Sequence, residues 1–218
     1  MSSLPRHRSV ADVMTVRVHV ASPLTPFKLL VRLIEENRIS AVPIVNQLGM
    51  PVGVVSESDL LLKESHVWKR RQDRVKAEAV IAQELMTSPA VTVRADALIA
   101  DAARLMQESN VKRLVVVDAR GRIAGIVSRS DLLQIFLRTD EELREELVDK
   151  IIPAMVPADA ETIEVDVRAN VITLTGEVDR RSDAGILVRL AREIDGVVHV
   201  IDRLRFRWDD LKQAAGAI

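Results

Sequence analysis

Cysteine and tyrosine are both absent from the 218 residues, and the aromatic residues are limited to three Phe and two Trp. Without cysteine there is no disulfide, no thiolate-ligated zinc and no thiol nucleophile. With so few large rings, cores must be built from Val, Leu, Ile and Ala, and a hydrophobic content of 48% is enough for that. An excess of one charge sign is also lacking. The net charge is −1, so no global basic field draws in nucleic acid, which is not an expected partner. No segment approaches the roughly 18 uninterrupted apolar residues of a membrane span. The start of the chain is polar through Arg6, His7 and Arg8, without the apolar stretch of a secretion signal. A cytoplasmic location, peripheral to the membrane at most, is the expectation.

Catalytic signatures are missing as well. There is no Walker loop, no Gly-x-Gly-x-x-Gly and no Gly-x-Ser-x-Gly. His7, His19, His66 and His199 are scattered, with no second His at ligand spacing, so no metal site is expected. No serine has a plausible base beside it. The chain reads as a binding protein rather than an enzyme.

What is present is a repeat. Gly53-Val54-Val55-Ser56-Glu57-Ser58-Asp59-Leu60-Leu61 returns 72 residues later as Gly125-Ile126-Val127-Ser128-Arg129-Ser130-Asp131-Leu132-Leu133. The same offset carries Met14-Thr15 onto Met86-Thr87, Arg32-Leu33 onto Arg104-Leu105 and Gly49 onto Gly121. Self-similarity in a single register means one structural unit copied in tandem.

Each copy reads β-α-β-β-α. In the first, Val18 and Val20 alternate about His19 as a short strand. Thr25 is placed to cap a helix that Pro26 begins, with Leu29, Leu30, Leu33 and Ile34 on one face and Asn37 at its end. Ala41 to Val45 is a buried strand whose Pro43 requires an edge or an irregular point. A turn through Gly49 leads to Val52–Val55, and a short helix opens at Ser56. In the second copy Val91 and Val93 mark the entry strand, and Asp96 is placed to cap the helix 97–109. Leu114–Val117 and Ile123–Val127 form a hairpin, and the closing helix runs over 130–137. Between the copies, 63–80 is dense in Lys, Arg and Glu without Gly or Pro, which predicts a charged helix carrying Trp68.

The repeated Ser-x-x-Asp carries the chemistry. Ser56 and Ser128 stand where a strand passes into a helix, so unpaired backbone N–H groups and the helix dipole favour phosphate there. Asp59 and Asp131 lie one turn on, in what the sequence suggests are exposed helix turns. A carboxylate accepting from two cis ribose hydroxyls makes charge-assisted bonds, each worth roughly 1.5–3 kcal/mol. The alternative is plain helix capping, for which Ser and Asp in a first turn are common.

After Leu137 the pattern changes. Leu143, Leu147, Val148, Ile151 and Ile152 share a face of an acidic helix over 140–152, closed by Pro153 and Pro157. Ile163, Val165 and Val167 alternate, a turn follows at Ala169-Asn170, and Ile172 and Leu174 alternate in turn, which predicts a hairpin. The stretch 180–194 is helical, Asp195-Gly196 stops it, and Val198, Val200, Leu204 and Phe206 ride one side of a last strand. The order is α-β-β-α-β. Arg203, Arg205 and Arg207 share the other side of that strand, a stripe suited to lipid phosphate or an acidic partner, or else a solvated outer face.

The two copies resemble the cystathionine-β-synthase (CBS) domain. The marks are Val-Met-Thr or Leu-Met-Thr at the start, the strands Val42-Pro43-Ile44-Val45 and Arg113-Leu114-Val115-Val116-Val117, and the twofold Gly-x-x-Ser-x-x-Asp ending. The C-terminal part resembles the BON domain, a small bacterial module, in Val171–Val178 and Ile194–Val200. Together these imply an α+β chain. Two tandem CBS repeats (8–62 and 81–138, joined by the linker 63–80) form a pseudo-twofold module, and a two-layer BON domain occupies 140–207.

The resemblance also implies two clefts that cross the copies. One joins Thr15, Val20, Ala41, Val42 and Pro43 with Ile126, Ser128 and Asp131. The other joins Thr87, Lys112, Arg113 and Leu114 with Val54, Ser56 and Asp59. Arg113 stands where some nucleotide-binding relatives place a phosphate-contacting arginine, with Lys112 beside it. The first copy has the uncharged Ser40-Ala41 there. Ordinary surface charge before a strand is the alternative for Lys112-Arg113. The implied role is regulatory: an adenosine-containing ligand of the AMP, ADP or ATP type binds the clefts. A homodimer through the CBS helices and the BON module, meeting protein or phospholipid, then passes the signal on. The alternative is an interaction protein with vestigial clefts. No catalytic cofactor is implied.

Overall fold

The structure is a computed structural model that describes residues 8–62 and 76–214. The chain is α+β and divides into two compact units, one of which is Ser9–Leu132 and the other of which begins at Leu133 and includes Arg8. Of the predicted linker helix, 63–75 with Trp68 lies outside the described residues, as do His7 and His66, while 76–78 are helical.

In the first repeat, helix α1 spans Phe27–Asn37. It buries Leu30 and Ile34, one helical turn apart, and ends where Arg38 turns left-handed with φ of 51°. Thr25 does not cap it. Its hydroxyl accepts the Ser22 N–H at 3.0 Å, so the helix opens one residue late, behind Pro26. Strand β1 (Ala41–Val45) pairs antiparallel with β2 (Pro51–Ser56), in register from Ala41↔Ser56 to Ile44↔Gly53. Asn46 Oδ1 draws the turn closed by accepting from the N–H groups of Leu48 and Met50, both at 3.0 Å. Helix α2 (Glu57–Leu61) follows directly.

The second repeat has the same hairpin, β4 (Arg113–Val117) with β5 (Ile123–Ser128), and its turn is held by Asp118. It also has a full entry strand, β3 (Thr92–Arg94), parallel to β4. The first repeat does not: the strand expected at Val18–Val20 is reduced to one parallel bridge, Ala21↔Ile44. The reason is Pro43. In the second repeat the Val115 N–H donates to Val91 O at 3.1 Å. The equivalent residues are Pro43, which has no N–H, and His19. The helix after β3 begins at Ile99 behind Leu98, not at Asp96. Both Asp96 oxygens are held by Arg94 at 2.9 Å and are not available as a cap.

The two repeats grip each other through paired contacts that obey the 72-residue offset. Thr15 and Ile126 exchange backbone hydrogen bonds of 2.9 and 3.0 Å, and Thr87 and Val54 do the same. Val10 N–H donates to Ala97 O and Ala82 N–H to Thr25 O. Met14 lies across Gly125, where an added Cβ would sit 2.7 Å from its sulfur and 3.0 Å from Thr15 O. Met86 lies across Gly53 in the same way. The recurring Met and Gly are two halves of one contact, with Gly required by close approach.

In the second unit, a helix starts at Asp140, capped by Thr139, and runs on through a π-helical turn at Glu146–Ile151 into Ile152–Met155. It passes Pro153 instead of closing there. Pro153 has no N–H to return to the preceding turn, and the widened π turn absorbs that mismatch. Strands β6 (Glu164–Arg168), β7 (Val171–Arg180) and β8 (His199–Trp208) form one sheet in that order, with β7 and β8 parallel and the helix Arg181–Arg192 crossing between them. Ala169 and Asn170 both take positive φ, a hairpin turn that Asp140 stabilises by accepting both their N–H groups at 2.9 and 2.8 Å. Leu143, Leu147, Ile151, Ile172, Leu174, Leu187 and Val200 fill the core. Val198 precedes β8 and is exposed rather than part of its inner face. Arg203, Arg205 and Arg207 are all exposed on β8, with Arg207 paired to Glu177 and Asp179.

Candidate functional site

The pseudo-twofold pairing of the repeats sets the end of β2 and the start of α2 opposite the entry and middle strand of the second repeat. A cavity of about 270 Å³ opens there, just below the roughly 300–1,000 Å³ of small-molecule sites. Its lining includes Val54, Ser56 and Asp59 from the first repeat and Thr87, Lys112 and Arg113 from the second. These are six of the seven residues expected in that cleft. The seventh, Leu114, is fully buried, because β4 is covered on both faces. Residues not expected from the sequence complete the walls: Ser40, Glu57 and Ser58 on one side, and Pro89 to Val91 with Asn110 and Val111 on the other.

Asp59 is not in an exposed turn; only 9% of it is accessible. Its Oδ2 accepts from Ser56 N–H at 2.9 Å and from the Ser56 hydroxyl at 2.6 Å. The capping geometry is therefore real, and it coexists with a position on the cavity wall. Its Oδ1 is bonded to the Lys76 ammonium, which also donates to Thr87 Oγ1 at 3.0 Å. Motif spacing gives no sign of Lys76. Seventy-two residues before it stands Leu4, so the repeat supplies no signal.

Arg113 reaches across the repeats. One guanidinium nitrogen donates to Ser40 O at 2.6 Å, an acceptor shared with the Glu57 N–H at 3.2 Å. Burial pushes the Arg113 guanidinium below its ordinary range, while the carboxylates of Glu57 and Asp59 pull it back up. Lys112 is exposed at the same rim. The cavity thus carries two carboxylates, Asp59 and Glu57, with hydroxyls on one wall and two cations on the other.

In the second expected cleft, Thr15 and Ile126 are joined by their backbones. Asp131 Oδ2 accepts from Ser128 N–H and the Ser128 hydroxyl, both at 2.7 Å. Val20 is exposed. Ala41, Val42 and Pro43 are buried in β1, with Val42 in the core of the first repeat, so their side chains are covered. Among the described residues, no group of three or more His, Cys, Asp or Glu is placed to hold a metal ion. No helix among them is long and apolar enough to cross a membrane.

The CBS domain model matches residues 10–65 and 82–138, and the BON domain model matches 139–207. Protein MK0525 of Methanopyrus kandleri is 32% identical over 130 residues, covering 60% of this chain and 63% of its own length. The chloroplastic CBS domain-containing protein CBSX2 of Arabidopsis thaliana is 30% identical over 62% of this chain and 66% of its own. The crystal structure of CBSX2 in complex with AMP superposes with a TM-score of 0.54 at 31% identity, covering 59% of this chain and 96% of that one. The chain spans less than two thirds of the length of the Methanopyrus relative. The chain belongs to the CBS domain family, with two CBS domains followed by a BON domain.

Proposed function

We propose that this protein is a sensor that binds an adenosine-containing ligand of the AMP type in the Asp59 cleft. The observation that carries the reading is the cavity between the repeats, with Asp59 and Ser56 on one wall and Lys112 and Arg113 on the other. In this reading Asp59 takes the ribose hydroxyls and the two cations meet phosphate. The AMP-bound CBSX2 structure, at 31% identity, supports the ligand class. Ser128 and Asp131, without a cationic counterpart at Ser40-Ala41, serve a less charged adenosyl group.

Occupancy is passed on through a homodimer and the BON module. Leu61, Leu133 and Phe136 are 65%, 60% and 44% exposed, apolar surface of the kind an interface covers. The role is binding, without catalysis. A thermal-unfolding screen of the full chain with AMP, ADP, ATP, S-adenosylmethionine and NAD tests it. A ligand at 100 times its Kd adds about 2.7 kcal/mol of stability, so at least one should raise the midpoint by several degrees. A flat screen overturns the reading in favour of an interaction protein with vestigial clefts.

A further inference from the structure

We infer that Lys76 is a built-in competitor for the ribose site, so that ligand entry must release an ion pair anchored in the segment between the repeats. This deepens the reading of the Asp59 cleft and rests on it. An ionised carboxylate offers about four lone-pair positions. On Asp59, Oδ2 already accepts from Ser56 N–H and the Ser56 hydroxyl, and Oδ1 accepts from Lys76. About one position is left, and a ribose diol needs two. The Ser56 N–H is fixed by the backbone at the helix start, whereas the Lys76 ammonium sits on a flexible stem. Lys76 is the partner that yields.

The pair is held more firmly than a surface contact. Its side chains are 18% and 12% exposed, and the ammonium has a second acceptor in Thr87, itself on the cavity wall. At the sequence position equivalent to Lys76 the first repeat has the uncharged Leu4, and the ion pair lies in the Asp59 cleft. Coupling of this kind is reciprocal. Whatever factor Lys76 costs the ligand, the ligand costs the hold of Asp59 on Lys76. Occupancy of the cleft is thereby linked to the chain segment that joins the two repeats.

The test is calorimetric titration of the full chain with AMP and with adenosine, which has no phosphate for a freed lysine to meet. Lys76→Met should lower the adenosine Kd roughly three- to tenfold. Lys76→Gln should do likewise, and Lys76→Arg should leave it near the wild-type value. In the Asp59→Ala background, Lys76→Met should give no gain. Circular dichroism melting of each variant checks folding, and the Gln variant stands in if the Met variant is unstable. If the wild type binds AMP but adenosine binds the Met and Gln variants no more tightly, the competitor role is overturned while the ligand reading stands. If neither wild type nor any Lys76 variant binds either compound, both fall. If the wild type binds AMP and adenosine binding is seen only once Lys76 is neutralised, both are upheld.

Discussion

The two CBS repeats share one frame, and three of the places where they differ bear on the clefts. Pro43 stands where the second repeat has Val115, and the entry strand shrinks to a bridge. Ser40-Ala41 stands where the second repeat has Lys112-Arg113. Asp59 is paired with Lys76, while the position equivalent to Lys76 is Leu4. Shared residues, the crossed Met–Gly contacts and the Thr–Val and Thr–Ile backbone pairs, hold the pseudo-twofold together. The differences make two related sites unequal. Duplication supplied the scaffold, and divergence at a few rim positions makes the two clefts chemically unequal.

The largest expected difference between the repeats is in stability. Asp59→Ala strips a mostly buried lysine of its counter-ion and Ser56 of its return bond, and should cost about 2–3 kcal/mol. Among the described residues Asp131→Ala loses the capping contacts to Ser128 and should cost about 1 kcal/mol. Urea unfolding of both variants measures the gap, and equal costs would mean that the Lys76 pair contributes nothing. Gly53→Val and Gly125→Val should each cost about 1–3 kcal/mol by driving a side chain into the Met of the other repeat. A loss at only one of them would break the symmetry of the crossed contact.

At the rim, Arg113→Ala should weaken ATP roughly tenfold, the loss of a charge-assisted bond, and adenosine much less. Equal losses for the two would show that Arg113 acts through its bond to Ser40 and not through phosphate. The smallest effect is Pro43→Val, within about 1 kcal/mol of the wild type. The backbone N–H that this substitution restores should let the entry strand of the first repeat extend. Slow hydrogen exchange of that new amide would report this, and rapid exchange would contradict it.

Much of this was legible from the residues. The offset of 72 exposed the repeat and most of its shared elements, though not the short helices at Val10–Asp12 and Ala82–Leu85, and six residues of one implied cleft, Val54, Ser56, Asp59, Thr87, Lys112 and Arg113, lie around one cavity. What escaped was non-local. Lys76 meets Asp59 through the fold, at a separation that no periodicity marks. Asp96 and Thr25 have the chemistry of helix caps, but Arg94 and Ser22 claim their oxygens first. Val42 and Leu114 sit on strands covered on both faces, so alternation did not tell which side chains reach the cleft. Pro153 signalled a helix end, whereas burial of Ile151 and Ile152 carried the helix past it.

Assignment of the ligand to the Asp59 cleft is tested most directly by titration of AMP into the wild type, Asp59→Ala and Asp131→Ala by calorimetry. It predicts binding to the wild type, a loss of affinity of roughly tenfold or more in Asp59→Ala, where at least one charge-assisted bond is removed, and near-wild-type affinity in Asp131→Ala. Affinity retained in Asp59→Ala, or lost equally in both variants, would contradict the assignment of the ligand to the Asp59 cleft.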